Sequence, residues 1–251
     1  MLKGKKGLVL GISNDNSIAW ACARAMREAG ATLGGTWLND KAKPYVEPLL
    51  QSLNAEIQLP LEVSNESQLE ALFEEVSQRW GKLDFLLHSI AFAPKADLHG
   101  RVVDSSLEGF LQAMDISCHF FIRMARLAEP LMKDGGSLMT MSYLGGQEVV
   151  PNYSIMGPVK AALESTVRYL AYELGEQGIR VNAISPGTIM TRAASGIASF
   201  DALVEENAQR APMGAVNIDD VGPLSVFLAS DGARAITGGK IYVDGGFNIL
   251  N

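Results

Sequence analysis

The stretch PNYSIMGPVKAALES sets a phenol, Tyr153, and an ammonium, Lys160, seven positions apart at the start of a helical pattern. Such a pair can do chemistry: a lysine can orient a cofactor and make a nearby tyrosine hydroxyl more acidic. The same two residues can also be an interfacial tyrosine and a solvated lysine that share a helix by chance. Pro158 lies between them and is at ease only in a first helical turn, which sets Tyr153 at the helix edge. A second candidate is GLVLGISNDNSIAWACA, where Gly11 closes an apolar run and Ser17-Ile18-Ala19 open a helical one. Backbone N–H groups and the dipole at such a helix start can hold a dinucleotide pyrophosphate, and Ser17 can cap the helix. The full G-x-G-x-x-G fingerprint is absent, so the turn also reads as a plain strand–turn–helix connection.

These residues need a scaffold, and the hydrophobic pattern supplies one. Strands are expected over 7–12, 32–38, 57–63, 84–90, 137–142, 180–184 and 240–243. Between them, apolar residues at three- and four-residue spacing predict helices over 17–30, 67–81, 108–132 and 157–175. Gly30, Gly81 and Gly175 are expected helix stops. The strands are near-continuous apolar runs, as in a parallel sheet covered on both faces. The alternation predicts an α/β fold: a single-domain, Rossmann-type doubly wound parallel sheet of about seven strands with helices on both faces, spanning 1–251. The longest irregular stretch, 185–214, contains a candidate lid at about 189–213.

Composition narrows the function. The chain has 251 residues, 47% hydrophobic and 20% charged, an ordinary globular balance. Its net charge of −7 opposes binding to nucleic acid or anionic membrane. No apolar run reaches the about 18 residues of a membrane span, and the N-terminus lacks a signal-peptide pattern, so a cytoplasmic protein is expected. Cys22 and Cys118 fall in apolar helical patterns without metal-type spacing and are read as reduced core residues, with no metal site. His88, His99 and His119 are read as structural. At the end of the second strand, Leu38 and Asn39 occupy the tip and Asp40 follows. The lack of an arginine there leans towards NAD, while Lys41 and Lys43 leave NADP open.

Four more segments lie at carboxyl ends of expected strands, where open α/β sheets bind ligands. They are LEVSN, HSIAFAP, MSYLGG and RVNAISPGTIMTRAASG. Together with the opening stretch they resemble the short-chain dehydrogenase/reductase superfamily across essentially the whole chain. Within it the chain resembles the enoyl-acyl-carrier-protein reductase branch, whose mark is a tyrosine, six residues and a lysine, with a second tyrosine ten positions before the first. Here those are Tyr153, Lys160 and Tyr143. The resemblance implies NADH-dependent reduction of the trans-2 double bond of enoyl thioesters in fatty acid elongation, with acyl carrier protein as partner and a homotetrameric assembly. It implies catalytic roles for Tyr143, Tyr153 and Lys160, with Ala93, Tyr143 and Tyr153 beside the substrate. Gly11, Ser17, Ile18, Glu62, Val63, Ile90 and Lys160, together with Ile189, Met190, Thr191, Arg192 and Ala193, match cofactor positions. Leu38 matches the adenosine side. Lys160 would bond the nicotinamide ribose and Tyr153 the developing enolate oxygen.

The spacing suits that chemistry. In an enoyl thioester the hydride goes to the β carbon and negative charge appears on the thioester oxygen, two carbons along. Seven residues of helix return to one face, about one turn displaced from a spacing of four. A carbonyl reductase of the wider superfamily, such as one acting on 3-oxoacyl thioesters, would separate tyrosine and lysine by three residues. A catalytically silent dinucleotide sensor would have no need of Tyr143, Tyr153 and Lys160. The chain departs from the branch at Thr188 and Met190, where proline and arginine are common. Segment 199–210 carries Asp201, Glu205 and Glu206 against Arg210, so it is not the basic ridge an acidic carrier would favour. The last strand with VDGGFNIL ends in apolar residues without a charged tail, which a partner subunit explains more easily than tucking onto the chain's own core.

Overall fold

The computed structural model describes residues 1–192, 194–196 and 200–250. Seven strands form one parallel sheet: β1 (Lys6–Leu10), β2 (Thr32–Trp37), β3 (Ile57–Pro60), β4 (Phe85–His88), β5 (Gly136–Met141), β6 (Ile179–Pro186) and β7 (Lys240–Val243). Their spatial order is β3-β2-β1-β4-β5-β6-β7. The chain therefore winds outward from β1 to β3, then restarts at β4 on the other side of β1. Connections diverge at the carboxyl ends of β1 and β4, where Leu10 lies opposite His88, and leave a crevice there.

Both faces of the sheet are apolar because successive side chains alternate. Leu8, Leu10, Leu86 and Leu138 pack against α3 (Glu66–Trp80), α6 (Phe120–Ala128) and α7 (Met156–Leu174). Val9, Phe85, Leu87 and Met139 pack on the opposite side against α1 (Ile18–Glu28), α2 (Lys43–Ser52) and α9 (Ile218–Ala229). Cys22 and Cys118 are buried free thiols. The near-continuous apolar runs thus correspond to strands buried on two sides, as expected.

Several local expectations change. Periodicity does not single out α2 or α9, because Pro48 and Pro223 stand inside them. Instead α9 starts from a capping box between Asn217 and Asp220. The expected helix over 108–132 is composite: α5 (Leu107–Met114), a π-helical stretch at Asp115–His119, then α6. His119, at the end of that widened turn, faces outward, its side chain 59% exposed and 3.5 Å from Asp115. Helix α7 does end at Gly175, its C-cap, but with φ −62°, and one further 3₁₀ turn follows before Gly178 takes the left-handed conformation at φ 74°. The stretch read as irregular, 185–214, contains a short turn at Ala194–Gly196 and the helix α8 (Phe200–Arg210). No described helix is long and apolar enough to cross a membrane.

Candidate active site

A cavity of about 470 Å³ opens at the carboxyl ends of β1, β4, β5 and β6. Its floor depends on Gly11, whose φ is 103°; a Cβ there would meet the Ser89 carbonyl oxygen at 2.1 Å. Glycine thus lets the ends of β1 and β4 close on one another and leaves backbone, not side chain, facing the crevice. Ser17 caps α1, accepting from Trp20 N at 3.3 Å, and its own hydroxyl donates to Asn14 O at 2.8 Å. Asn16 Nδ2 donates to Met190 O at 2.9 Å, tying this first turn to the segment after β6.

Tyr153 and Lys160 both line the cavity, but they do not share a helix. The helix begins at Met156, and Tyr153 precedes it between Asn152 and Ser154, which hold φ of 64° and 46°. The expected single helical face is therefore replaced by a tight turn followed by a helix. Pro158 explains the boundary, since as the third residue of α7 it needs no N–H bond. Gly145 admits the tyrosine: a Cβ there would come within 2.4 Å of Tyr153 Cδ1. The Tyr143 ring lies 4.9 Å from the Tyr153 ring at 60°, a tilted aromatic pair. The Tyr143 hydroxyl is 2.9 Å from Thr188 Oγ1. Thr188, one of the departures from the branch, is thus the hydrogen-bond partner of the half-buried Tyr143.

Electrostatics separate the two groups further. Lys160 is 5% exposed, and its Nζ donates to Met141 O at 2.7 Å. Burial lowers its pKa from 10.5 to about 8, with Cys118 and Glu164 opposing the shift. Burial also raises the pKa of Tyr153, and the neighbouring Tyr143 and Glu164 raise it further. The sequence-based expectation of a lysine-acidified tyrosine does not hold: Tyr153 is a neutral hydroxyl, suited to donating a hydrogen bond. His88 is buried beneath the site, Nδ1 2.8 Å from Thr140 Oγ1 and Nε2 without a partner among the described residues. Burial and then Lys160 push its pKa down to about 3, so it is neutral. His99 Nε2 lies 2.6 Å from Gly196 O at the cavity mouth.

Of the other expected site residues, Ser17, Ile18, Ile90, Ala93, Ile189 and Thr191 line the cavity. Leu38, 48% exposed, follows β2, and Glu62 and Val63 follow β3; these three lie outside it, at neighbouring strand ends. Met190 and the exposed Arg192 also lie off its lining, and Ala193 is outside the described residues. Sequence reasoning missed Ser13, Phe92, Lys95, Leu98 and Met156, which line it too, as does Phe200. Phe92 had a signal, since it is an apolar residue just past the end of β4, outside any core periodicity.

The enoyl-(acyl carrier protein) reductase family model matches residues 11–248. The chain belongs to this family. It is 44% identical to an NADH enoyl-[acyl-carrier-protein] reductase of Rhizobium meliloti, covering 100% of this chain and 92% of that protein. It superposes with TM-score 0.96 and 43% identity on the Anaplasma phagocytophilum reductase in complex with NAD, covering 100% and 96% of the two chains. A Bacillus cereus enoyl-acyl carrier protein reductase with NADP+ and an indole naphthyridinone gives TM-score 0.97 and 43% identity, over 100% and 98%.

The cavity fits the family's dinucleotide. Gly11 leaves a cradle that a Cβ would fill, the capped start of α1 borders it, and Lys160 has Met141 O as its acceptor among the described residues, with ammonium protons to spare. Replacing Thr188 with Val removes the hydroxyl while keeping the shape. We expect Thr188→Val to cost about 1 kcal/mol in urea unfolding. Because the Thr188 bond lowers the Tyr143 pKa, losing it should move that tyrosinate titration to higher pH. An unchanged ultraviolet titration would remove Thr188 as the partner.

Proposed function

We propose that this member of the family reduces the trans-2 double bond of enoyl thioesters with NADH, in fatty acid elongation, on substrates carried by acyl carrier protein. The supporting observation is the Tyr143–Tyr153 pair set beside Lys160 in one cavity, in a chain whose relatives over full length are named NADH enoyl-acyl-carrier-protein reductases. NADH, when bound, supplies the hydride for the β carbon. The chain's residues do the rest. Tyr153, held neutral by burial, donates a hydrogen bond to the thioester oxygen as negative charge develops there. Tyr143 packs on Tyr153, limits its ring orientations and walls the acyl site with Ala93. The Lys160 ammonium bonds ribose hydroxyls and adds positive charge where the dinucleotide is anionic. Phe92, Leu98, Met156 and Phe200 give the acyl chain an apolar wall and exclude water from the oxygen that Tyr153 must hold.

The test is loss of nicotinamide absorbance with crotonyl thioester and, separately, with a 3-oxoacyl thioester. Turnover of the enoyl substrate alone is expected; turnover of the 3-oxo substrate alone would establish the carbonyl-reductase reading, and neither would indicate a silent dinucleotide binder. Tyr153→Phe should lower turnover about a hundredfold, ~3 kcal/mol, with NADH affinity kept, because the hydroxyl acts on the substrate.

We assign the chain to the cytoplasm as one domain in a homotetramer. Leu107 and Leu111 on α5, Tyr169 and Tyr172 on α7, and Ile249 are exposed, and β7 is an open sheet edge. Surfaces of this kind favour a covering subunit. A monomer in light scattering at micromolar concentration would refute the assembly.

Segment 189–213 is assigned as a lid over the reacting carbon. Ile189 and Phe200 are buried against the cavity, while Met213 at its far end is 86% exposed. Asn16 and His99 reach it at Met190 O and Gly196 O, and at its far end Met213 N donates to Gly245 O at 2.9 Å. Ile197, also expected to offer apolar surface to the acyl chain, lies outside the described residues. Hydrogen exchange across 189–213 should slow when NAD and an enoyl-mimicking inhibitor bind; equal protection in both states would make it a permanently packed insertion.

A further inference from the structure

Lys160 and Tyr153 share a carboxylate neighbour to which the chemistry above gives no role. Glu164 lies one turn beyond Lys160 on α7, its side chain 11% exposed. Its Oε1 accepts from Ser142 Oγ at 2.6 Å and pairs with Lys240 Nζ at 3.2 Å. Ser142 sits between Met141, whose carbonyl holds Lys160, and Tyr143, which walls the cavity. Lys240 comes from the edge strand β7 and is itself only 13% exposed. The turn after Tyr143 is laid directly on this carboxylate: a Cβ at Gly146 would meet Glu164 Oε1 at 2.6 Å and the Lys160 carbonyl carbon at 3.1 Å.

We infer that Glu164 is the positioning residue of the Lys160 site. Its carboxylate, shared between Ser142 and Lys240, clamps the 141–143 strand end and keeps Lys160 an ammonium. The inference rests on reading Lys160 as the cofactor's lysine. The titratable groups around Lys160 are His88 from β4, Cys118 from the π-helical stretch, Tyr153 from the turn before α7, Glu164 from α7 and Lys240 from β7. His88 is neutral, and burial pushes both the Cys118 thiol and the Tyr153 hydroxyl up, so both keep their protons at neutral pH. Glu164 is therefore the anion of this group. It faces two buried ammoniums, and Lys240 takes up part of the field that would otherwise act on Lys160. A carboxylate this close also opposes ionisation of Tyr153, which keeps the hydroxyl a donor.

The two flanking charges make opposite predictions, which a merely structural role would not. The dissociation constant of NADH is followed by nicotinamide fluorescence from pH 6 to 10. In the unaltered protein, affinity should fall as pH rises through about 8, where Lys160 loses its proton. Glu164→Gln keeps the shape and an acceptor for Ser142 but removes the charge; the midpoint should move down by about 1 pH unit. Lys240→Met leaves Glu164 acting more fully on Lys160, and its midpoint should move up. Midpoints that stay in place, or that move the same way in both variants, overturn the inference. If Glu164→Gln does not fold, Lys240→Met alone decides by the direction of its shift. Lys160→Met separates the two levels: normal NADH binding by that variant defeats the cofactor-lysine reading, whereas weak binding with immobile midpoints defeats the role of Glu164 alone.

Discussion

The structure is organised around an ammonium kept out of water. Lys160 is 5% exposed and its pKa falls from 10.5 to about 8, so holding it charged at neutral pH costs the folded chain ~3 kcal/mol. The sign follows from proton uptake: between pH 8 and 10.5 the unfolded chain binds the extra proton, so stability rises with pH across that window. Helix α7 must present the lysine, β5 must end where Met141 O can accept from it, and the crevice beside β1 must stay open. Few other arrangements of a parallel sheet satisfy all three, because only strand ends at the switch point leave space over the sheet edge.

Tyr153 meets the opposite requirement. Its hydroxyl must stay protonated beside a cation, which would normally make it more acidic. Burial, the second tyrosine and Glu164 all raise its pKa, and they outweigh that pull. The turn before α7 matters here, because it places the phenol off the helix and against Tyr143 instead of in line with Lys160. A buried ammonium and a neutral phenol thus line one cavity.

The sheet was legible because strands buried on both faces leave long apolar runs, and because Ser17 and Gly81 mark helix ends locally. Helices α2 and α9 were not, since internal prolines break the periodicity that would reveal them. The π-helical stretch left no trace either, as one widened turn hardly alters an apolar pattern. At the site, the residue types of Tyr143, Tyr153 and Lys160 could be read, but their geometry could not. It depends on positive φ at Asn152 and Ser154, which no spacing rule encodes. The Thr188–Tyr143 and Lys240–Glu164 contacts join distant segments, so only the folded chain brings them together.

Thr188 shows how a departure from a family pattern can be absorbed. A proline at that position would offer no hydroxyl, and the Tyr143 phenol would need another partner or water. Here threonine supplies the partner within the protein, at a residue 6% exposed. A half-buried phenol with a fixed partner loses rotational freedom before any ligand arrives, so less ordering remains to be done on binding. The same bond links the end of β5 to the chain leaving β6, which Asn16 also holds at Met190 O. Tyr143 thereby joins the chain leaving β6 to the Tyr153 ring through one hydrogen bond and one ring contact.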